Sequence, residues 1–275
     1  GGTFLTCGIG GQQRNNIAAL DVTTGLPTAW NPSANNSIFE LIVSGSTVYA
    51  GGIFTTIGGQ TRNRIAAIDM GTGLATAWNP NAGSTVIALA ISGSTVYVGG
   101  NFATIGGQSR LYIAALDATT GLATAWNPGA NSNVNVLILS GSTIYAGGLF
   151  TTIGGQTRNR IAAIDTGTGL ATAWDPNASS AVNTLFLAGT TVYIGGDFTT
   201  IGGQTRSRIA AIDTGTGLAT AWNPNASSSV STLIVSGSTV YAGGSFSTIG
   251  GQTRSFIAAL DIATGLATAW NPSVN

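Results

Sequence analysis

A single sentence of 48 residues is written through the whole chain. Trp30, Trp78, Trp126, Trp174, Trp222 and Trp270 fall 48 positions apart, and the text around them repeats with them. Self-similarity at a fixed period of this size belongs to solenoids, propellers and arrays, in which each repeat buries its apolar face only against its neighbours. Residues 31–78, 79–126, 127–174, 175–222 and 223–270 are five full repeats without insertion or deletion. Residues 1–30 are a partial repeat, interrupted by two extra residues around Cys7, and 271–275 begin the next one. The unbroken period argues for one domain over residues 1–275.

Within one repeat, four short apolar runs alternate with turn residues: Val230–Val235, Thr239–Ala242, Arg208–Asp213 and Leu218–Trp222. Each is rich in Val, Ile, Thr or aromatic residues and bounded by Gly, Pro, Asn or Ser, which are strand signals. None has the length or spacing of an amphipathic helix. The predicted fold class is therefore all-β: a six-bladed β-propeller of four-stranded antiparallel blades, one of them incomplete, with the Val230–Val235 type of strand innermost. An open solenoid of the same repeats is the alternative.

The recurring residues have structural readings. Asp21, Asp69, Asp117, Asp165, Asp213 and Asp261 each open a turn such as Asp213-Thr214-Gly215-Thr216-Gly217, in which the carboxylate accepts from backbone two residues on and Gly supplies positive φ. Arg14, Arg62, Arg110, Arg158, Arg206 and Arg254 recur at the same period and are expected to pair with those aspartates. Pairs such as Gly243-Gly244 suggest a bulge or a backbone approach too close for a side chain. The six tryptophans, with Phe4, Phe54, Phe102, Phe150, Phe198 and Phe246, are read as glue between blades.

These residues carry a family resemblance. Tyr193-Ile194-Gly195-Gly196-Asp197-Phe198, the Thr-Thr-Ile-Gly-Gly that follows in most repeats, and Arg158-Asn159-Arg160-Ile161-Ala162 resemble the bacterial secreted β-propeller repeats of the delta-sixty type. The double Gly, then Asp, then Trp is also similar to the kelch repeat. The resemblance spans nearly the whole chain. It implies a propeller and no activity, because such repeats serve in surface and scaffold proteins of varied role.

Composition excludes several classes of function. Only 7% of residues are charged, net charge is zero, and Lys and His are absent. A basic nucleic-acid surface and a basic membrane helix are thereby excluded, and no apolar run is long enough to span a bilayer as a helix. Without His or Lys, neither a Ser–His or Cys–His nucleophile nor a Schiff base is available. The acidic residues that break the repeat, Glu40, Asp175 and Asp197, lie in different repeats and indicate no paired-carboxylate site. The Gly-rich turns lack the ending of a phosphate loop, and one Asp per loop supplies too few ligands for calcium. Cys7, the one cysteine, permits no internal disulfide. The chain is expected to be non-enzymatic and to need no cofactor or metal.

Three functions remain. A weakly charged Ser/Thr/Asn surface at zero net charge favours association, so the first reading is an extracellular or cell-surface structural protein, self-assembling into a homo-oligomer, fibre or surface layer. The second is a multivalent carbohydrate-binding propeller using the six tryptophans as stacking platforms. The third is a designed symmetric propeller. Asn35, Asn177 and Asn225 stand in Asn-x-Ser sequons and are candidate glycan attachment sites. Aligning the ends of the chain on a full repeat leaves fifteen residues, those of Ser228–Ala242, without a counterpart at the seam. A truncated reading of a longer chain, a strand donated by a neighbouring subunit and an open gap are the expected alternatives.

Overall fold

The computed structural model describes residues 11–272, and these contain strands, turns and bends but no helix. Phe4, Cys7 and residues 273–275 lie outside the described residues. The chain divides into two compact units, residues 1–129 and 130–275, taken separately below.

Unit 1 holds two complete repeats. The first contains β1 (Ile38–Ser44), β2 (Thr47–Gly52), β3 (Thr56–Ile57), β4 (Gln60–Thr61) and β5 (Ile65–Asp69). The second contains β6 (Val86–Ser92), β7 (Thr95–Gly100), β8 (Thr104–Ile105), β9 (Gln108–Ser109) and β10 (Ile113–Asp117). In each, the first, second and fifth strands form an antiparallel sheet with the second strand central, and the third and fourth form a separate ribbon. Unit 2 holds three repeats on the same plan. They run β11 (Val134–Ser140), β12 (Thr143–Gly148), β13 (Thr152–Ile153), β14 (Gln156–Thr157), β15 (Ile161–Asp165); β16 (Val182–Ala188), β17 (Thr191–Gly196), β18 (Thr200–Ile201), β19 (Gln204–Thr205), β20 (Ile209–Asp213); and β21 (Val230–Ser236), β22 (Thr239–Gly244), β23 (Thr248–Ile249), β24 (Gln252–Thr253), β25 (Ile257–Asp261).

The local chemistry explains the pattern. β1 turns into β2 through Gly45-Ser46, with Gly45 at φ 55°, a backbone that a two-residue hairpin loop favours. A register shift between Ile38 and Glu40 marks a bulge opposite the Gly51-Gly52 pair. A Cβ on Gly52 would press into the Ser37 carbonyl oxygen, so the second glycine of each pair is required by close backbone approach. The ribbon turns on Gly58-Gly59, both at positive φ (58° and 74°), as a type I′ loop requires.

The fourth apolar run departs from expectation. It is not a full strand, so the blades are three-stranded sheets with an added ribbon. Ala75 makes a single bridge to Ile68. Bonds from Asp69 N–H to the Leu74 carbonyl and from Thr76 N–H to the Ala67 carbonyl flank it, both at 2.9 Å, and on its outer side the Ala75 N–H meets the Gly58 carbonyl of the ribbon at 3.0 Å. One residue on, the Thr76 hydroxyl accepts from the Trp78 N–H at 3.2 Å. A side chain that captures the next backbone donor competes with the ladder and ends the pairing.

Each unit has its core between consecutive sheets. In unit 1, Tyr49, Ile65, Ala67 and Trp78 of one repeat pack against Val86, Leu89, Val96 and Val98 of the next. In unit 2, Tyr145, Ile161, Ala163 and Trp174 pack against Val182, Leu185, Val192 and Ile194. Tyr193, Ile209 and Trp222 repeat the arrangement against Val230, Leu233 and Val240. Phe54, Phe102, Phe150, Phe198 and Phe246 are fully buried. Burial of this kind stabilises by roughly 25 cal/mol per Å² of apolar surface and ties each repeat to its neighbour.

Candidate functional site

The tryptophans join repeats. Trp78 is 4% exposed, and its ring meets Tyr49 edge-on with centroids 5.1 Å apart. Its indole N–H donates to the Asp117 carbonyl in the next repeat at 2.9 Å. Trp30 donates likewise to Asp69, Trp174 to Asp213 and Trp222 to Asp261. Trp126, Trp174 and Trp222 are also buried. The faces of these four are covered by protein and offer no stacking platform, whereas Trp30 is half-buried and Trp270 is exposed.

The aspartates are turn organisers. Asp69 Oδ1 accepts from the Gly71 N–H at 3.1 Å and from the Thr72 N–H and hydroxyl, both at 2.7 Å. Asp117, Asp165, Asp213 and Asp261 hold equivalent turns, as does Asp21. The Thr72 hydroxyl and then its N–H hold the Asp69 carboxyl below the usual carboxylate range, because each donor favours the ionised form.

Among the described residues the recurring arginines spend their guanidinium groups on backbone carbonyls rather than on Asp21, Asp69, Asp117, Asp213 or Asp261. Arg62 donates through one nitrogen to the Thr61 carbonyl at 2.8 Å and through the other to the Thr76 carbonyl at 2.5 Å. Arg14, Arg110, Arg158, Arg206 and Arg254 likewise reach the Thr carbonyl fourteen residues on. Each guanidinium therefore ties the ribbon end to the run that failed to become a strand. Its planar fork satisfies two carbonyls without needing a counter-charge. Arg158 also approaches a carboxylate, Asp175, at 3.8 Å; Asp175 is not one of the repeat-borne aspartates.

An exposed leucine at each Asp turn is the feature that sequence reading missed. Leu26, Leu74 and Leu122 in unit 1, and Leu170, Leu218 and Leu266 in unit 2, follow the Asp-turn glycine and are 54–61% exposed. Its signal in the sequence is an invariant Leu after each Thr-Gly, at the head of a run that carries strand signals.

Two shallow grooves recur at equivalent places: about 270 Å³ beside Pro80, Asn81 and Gln108 in unit 1, and about 330 Å³ beside Pro224, Asn225 and Gln252 in unit 2. Neither is lined by a titratable side chain. Two of the three sequons are equivalent: Asn177 and Asn225 hold the same repeat position at φ 52° and 54°, whereas Asn35 stands at a different one. Asn225 edges its groove, Asn177 accepts from the Asn159 amide at 2.8 Å, and Asn35 spends its amide N–H on the Thr55 hydroxyl at 2.8 Å. Among the described residues no group of three or more acidic or Cys side chains is placed to hold a metal. Asp197 faces the Asn183 amide at 3.5 Å.

Comparison with known proteins sets this geometry in context. The family model described as "Outer membrane protein assembly factor BamB" matches residues 9–175, and a second, "Domain of unknown function (DUF5122) beta-propeller", matches 191–212. No curated protein matches the chain. Among solved structures, a chain of a mitotic checkpoint complex is similar with TM-score 0.63 at 15% identity, over 93% of this chain and 71% of that one. The WD40 β-propeller domain of Doa1 gives 0.58 at 10% identity, over 86% and 68%. The computationally designed Ika8 protein gives 0.57 at 20% identity, over 90% and 78%. At these identities the likeness is one of fold, and the fold is a β-propeller.

Proposed function

We propose a function on the premise that this chain belongs to the β-propeller family described as outer membrane protein assembly factor BamB. We read it as a non-enzymatic structural or scaffold protein of the cell surface or extracellular space, with repeats of the delta-sixty type, that associates with copies of itself into a fibre or surface layer.

The observation that carries this reading is the leucine row. Leucines more than half exposed recur at the same turn of every repeat, on a chain of which 7% of residues are charged and whose net charge is zero. Apolar side chains repeated at a fixed spacing, without like-charge repulsion around them, favour contact with a second repeating surface.

Light scattering and electron microscopy of the purified protein at rising concentration test the reading. Ordered oligomers or filaments are expected, and replacing Leu74, Leu122, Leu170 and Leu218 together by Ser should disperse them while leaving the β-sheet spectrum unchanged. A monodisperse monomer at high concentration would sink the proposal.

A further inference from the structure

The two recurring grooves share one construction. In unit 2 the walls include Pro224, Asn225, Thr248, Ile249, Gln252 and Thr253. In unit 1 they include Pro80, Asn81, Thr104, Ile105, Gln108 and Ser109. Pro224 and Ile249 are buried and make an apolar floor, while Asn225, Thr248, Gln252 and Thr253 are exposed around it. Pro80 and Ile105 are buried in the same way beneath an exposed polar rim. At about 330 and 270 Å³, the grooves match the small end of ligand sites, roughly 300 Å³.

The rim groups are held in place without being used up. Asn81 and Asn225 both sit at φ 54°, a left-handed backbone that Asn tolerates better than most residues. The Asn63 amide donates to Asn81 Oδ1 at 2.7 Å, which leaves the Asn81 NH₂ group as a donor. Among the described residues, Gln108 and Gln252 make no hydrogen bond through their side chains.

That glutamine is the sharper signal. Gln12, Gln60, Gln108, Gln156, Gln204 and Gln252 recur in every repeat, and all are exposed. The residue before each recurring Phe is exposed as well, yet it differs each time: Asn101, Leu149, Asp197 and Ser245. Packing gives an exposed, unbonded amide no reason to stay constant where such a neighbour drifts. Hydrogen bonding to a ligand does.

The lining restricts the class of ligand. No titratable side chain faces either groove, so an ion would lose water without gaining a counter-charge. Amide and hydroxyl side chains donate and accept, and they match a ligand whose groups do both. A neutral sugar carries hydroxyls around its rim and C–H groups on its faces, which suit the polar rim and the Pro–Ile floor. We propose that each groove binds a unit of a neutral carbohydrate chain. Gln108 and Asn81, or Gln252 and Asn225, bond its hydroxyls. The site uses none of the tryptophans and does not depend on the exposed leucines.

The test is binding of the full chain to immobilised neutral polysaccharides, a panel of glucans, mannans, galactans and xylans, with a sulfated and a uronic-acid polymer beside them. Saturable binding to at least one neutral polymer is expected, and it should survive about 0.5 M NaCl, which screens contacts between charges. Gln108→Ala together with Gln252→Ala should weaken it by about tenfold or more, because each removes a ligand hydrogen bond. Asn81→Gly together with Asn225→Gly should do the same. The fold accepts that change, since Gly129 holds the equivalent position at φ 52°. The protein with Leu74, Leu122, Leu170 and Leu218 replaced by Ser should bind as before. Absence of saturable binding to every neutral polymer, preference for the polyanions, or unchanged binding by either paired variant overturns the proposal. So does loss of binding on Trp270→Ala, which would place the contact at the exposed indole.

Discussion

The indole N–H of Trp78 reaches the backbone carbonyl of Asp117, 2.9 Å away and thirty-nine residues later in the chain. That bond crosses from one blade to the next, and the same tryptophan lies against Tyr49 of its own blade. One side chain thus fastens two sheets.

Trp222 is expected to be far more costly to remove than Trp270. Trp222 is 5% exposed and bonded to Asp261, whereas Trp270 is 43% exposed. Trp222→Ala should lose about 3–5 kcal/mol of stability, the range for deleting a buried large aromatic. Urea denaturation of the two variants checks this, and equal losses would contradict the core assignment.

Replacing Trp78 by Phe separates packing from hydrogen bonding. The ring is largely retained, but the Asp117 carbonyl loses its donor. A loss of about 1–3 kcal/mol is expected, the penalty for an orphaned buried polar group. The Trp78→Ala loss should exceed it. The comparison is made in the same denaturation experiment.

Gly196 and Gly203 answer differently to Ala. A Cβ on Gly196 would drive into the Ala181 carbonyl oxygen, whereas one on Gly203, at φ 76°, meets nothing within 4 Å. Gly203→Ala should cost about 1–2 kcal/mol, for the left-handed backbone alone. Gly196→Ala, which must move the bulge, should cost more. Thermal melts of the two variants decide the order.

Arg206 and Asp213 should behave independently. Arg206 bonds the Thr205 and Thr220 carbonyls, and Asp213 bonds the Thr216 donors. In a double-mutant cycle, Arg206→Ala and Asp213→Ala should add to within about 0.5 kcal/mol. A larger coupling would restore the ion pair that the sequence suggested.

Acid should weaken the fold through the turn aspartates. Asp69, Asp165, Asp213 and Asp261 are held below the ordinary value of 3.8 by Thr hydroxyls first and Thr N–H groups next. Folding therefore favours their ionised form. That contribution is complete above the unfolded value and is lost as pH falls through it toward the lower folded value. The melting temperature should be insensitive to these groups from pH 7 to about 5 and fall below about pH 4. Substituting Val at Thr72, Thr168 and Thr216 together should flatten that fall; an unchanged acid limb would show that the turns do not contribute.

The sequence by itself determined the period, the strand-forming runs, the need for two glycines at each bulge and the Asp-capped turns. These depend on near neighbours: Asp69 reaches donors two and three residues away, so the spacing that sets them is visible in the text. The role of tryptophan as inter-blade glue was also legible, since a large apolar ring repeated once per unit has only a neighbouring unit to pack against. What the arginines hold was decided by tertiary structure. Their acceptors are backbone carbonyls fourteen residues on, and every residue has a carbonyl, so no residue type marks the partner. The fate of the Leu74–Trp78 run was decided the same way: pairing with β5 stops after Thr76, where the Thr76 hydroxyl takes the Trp78 N–H and Arg62 takes the Thr76 carbonyl.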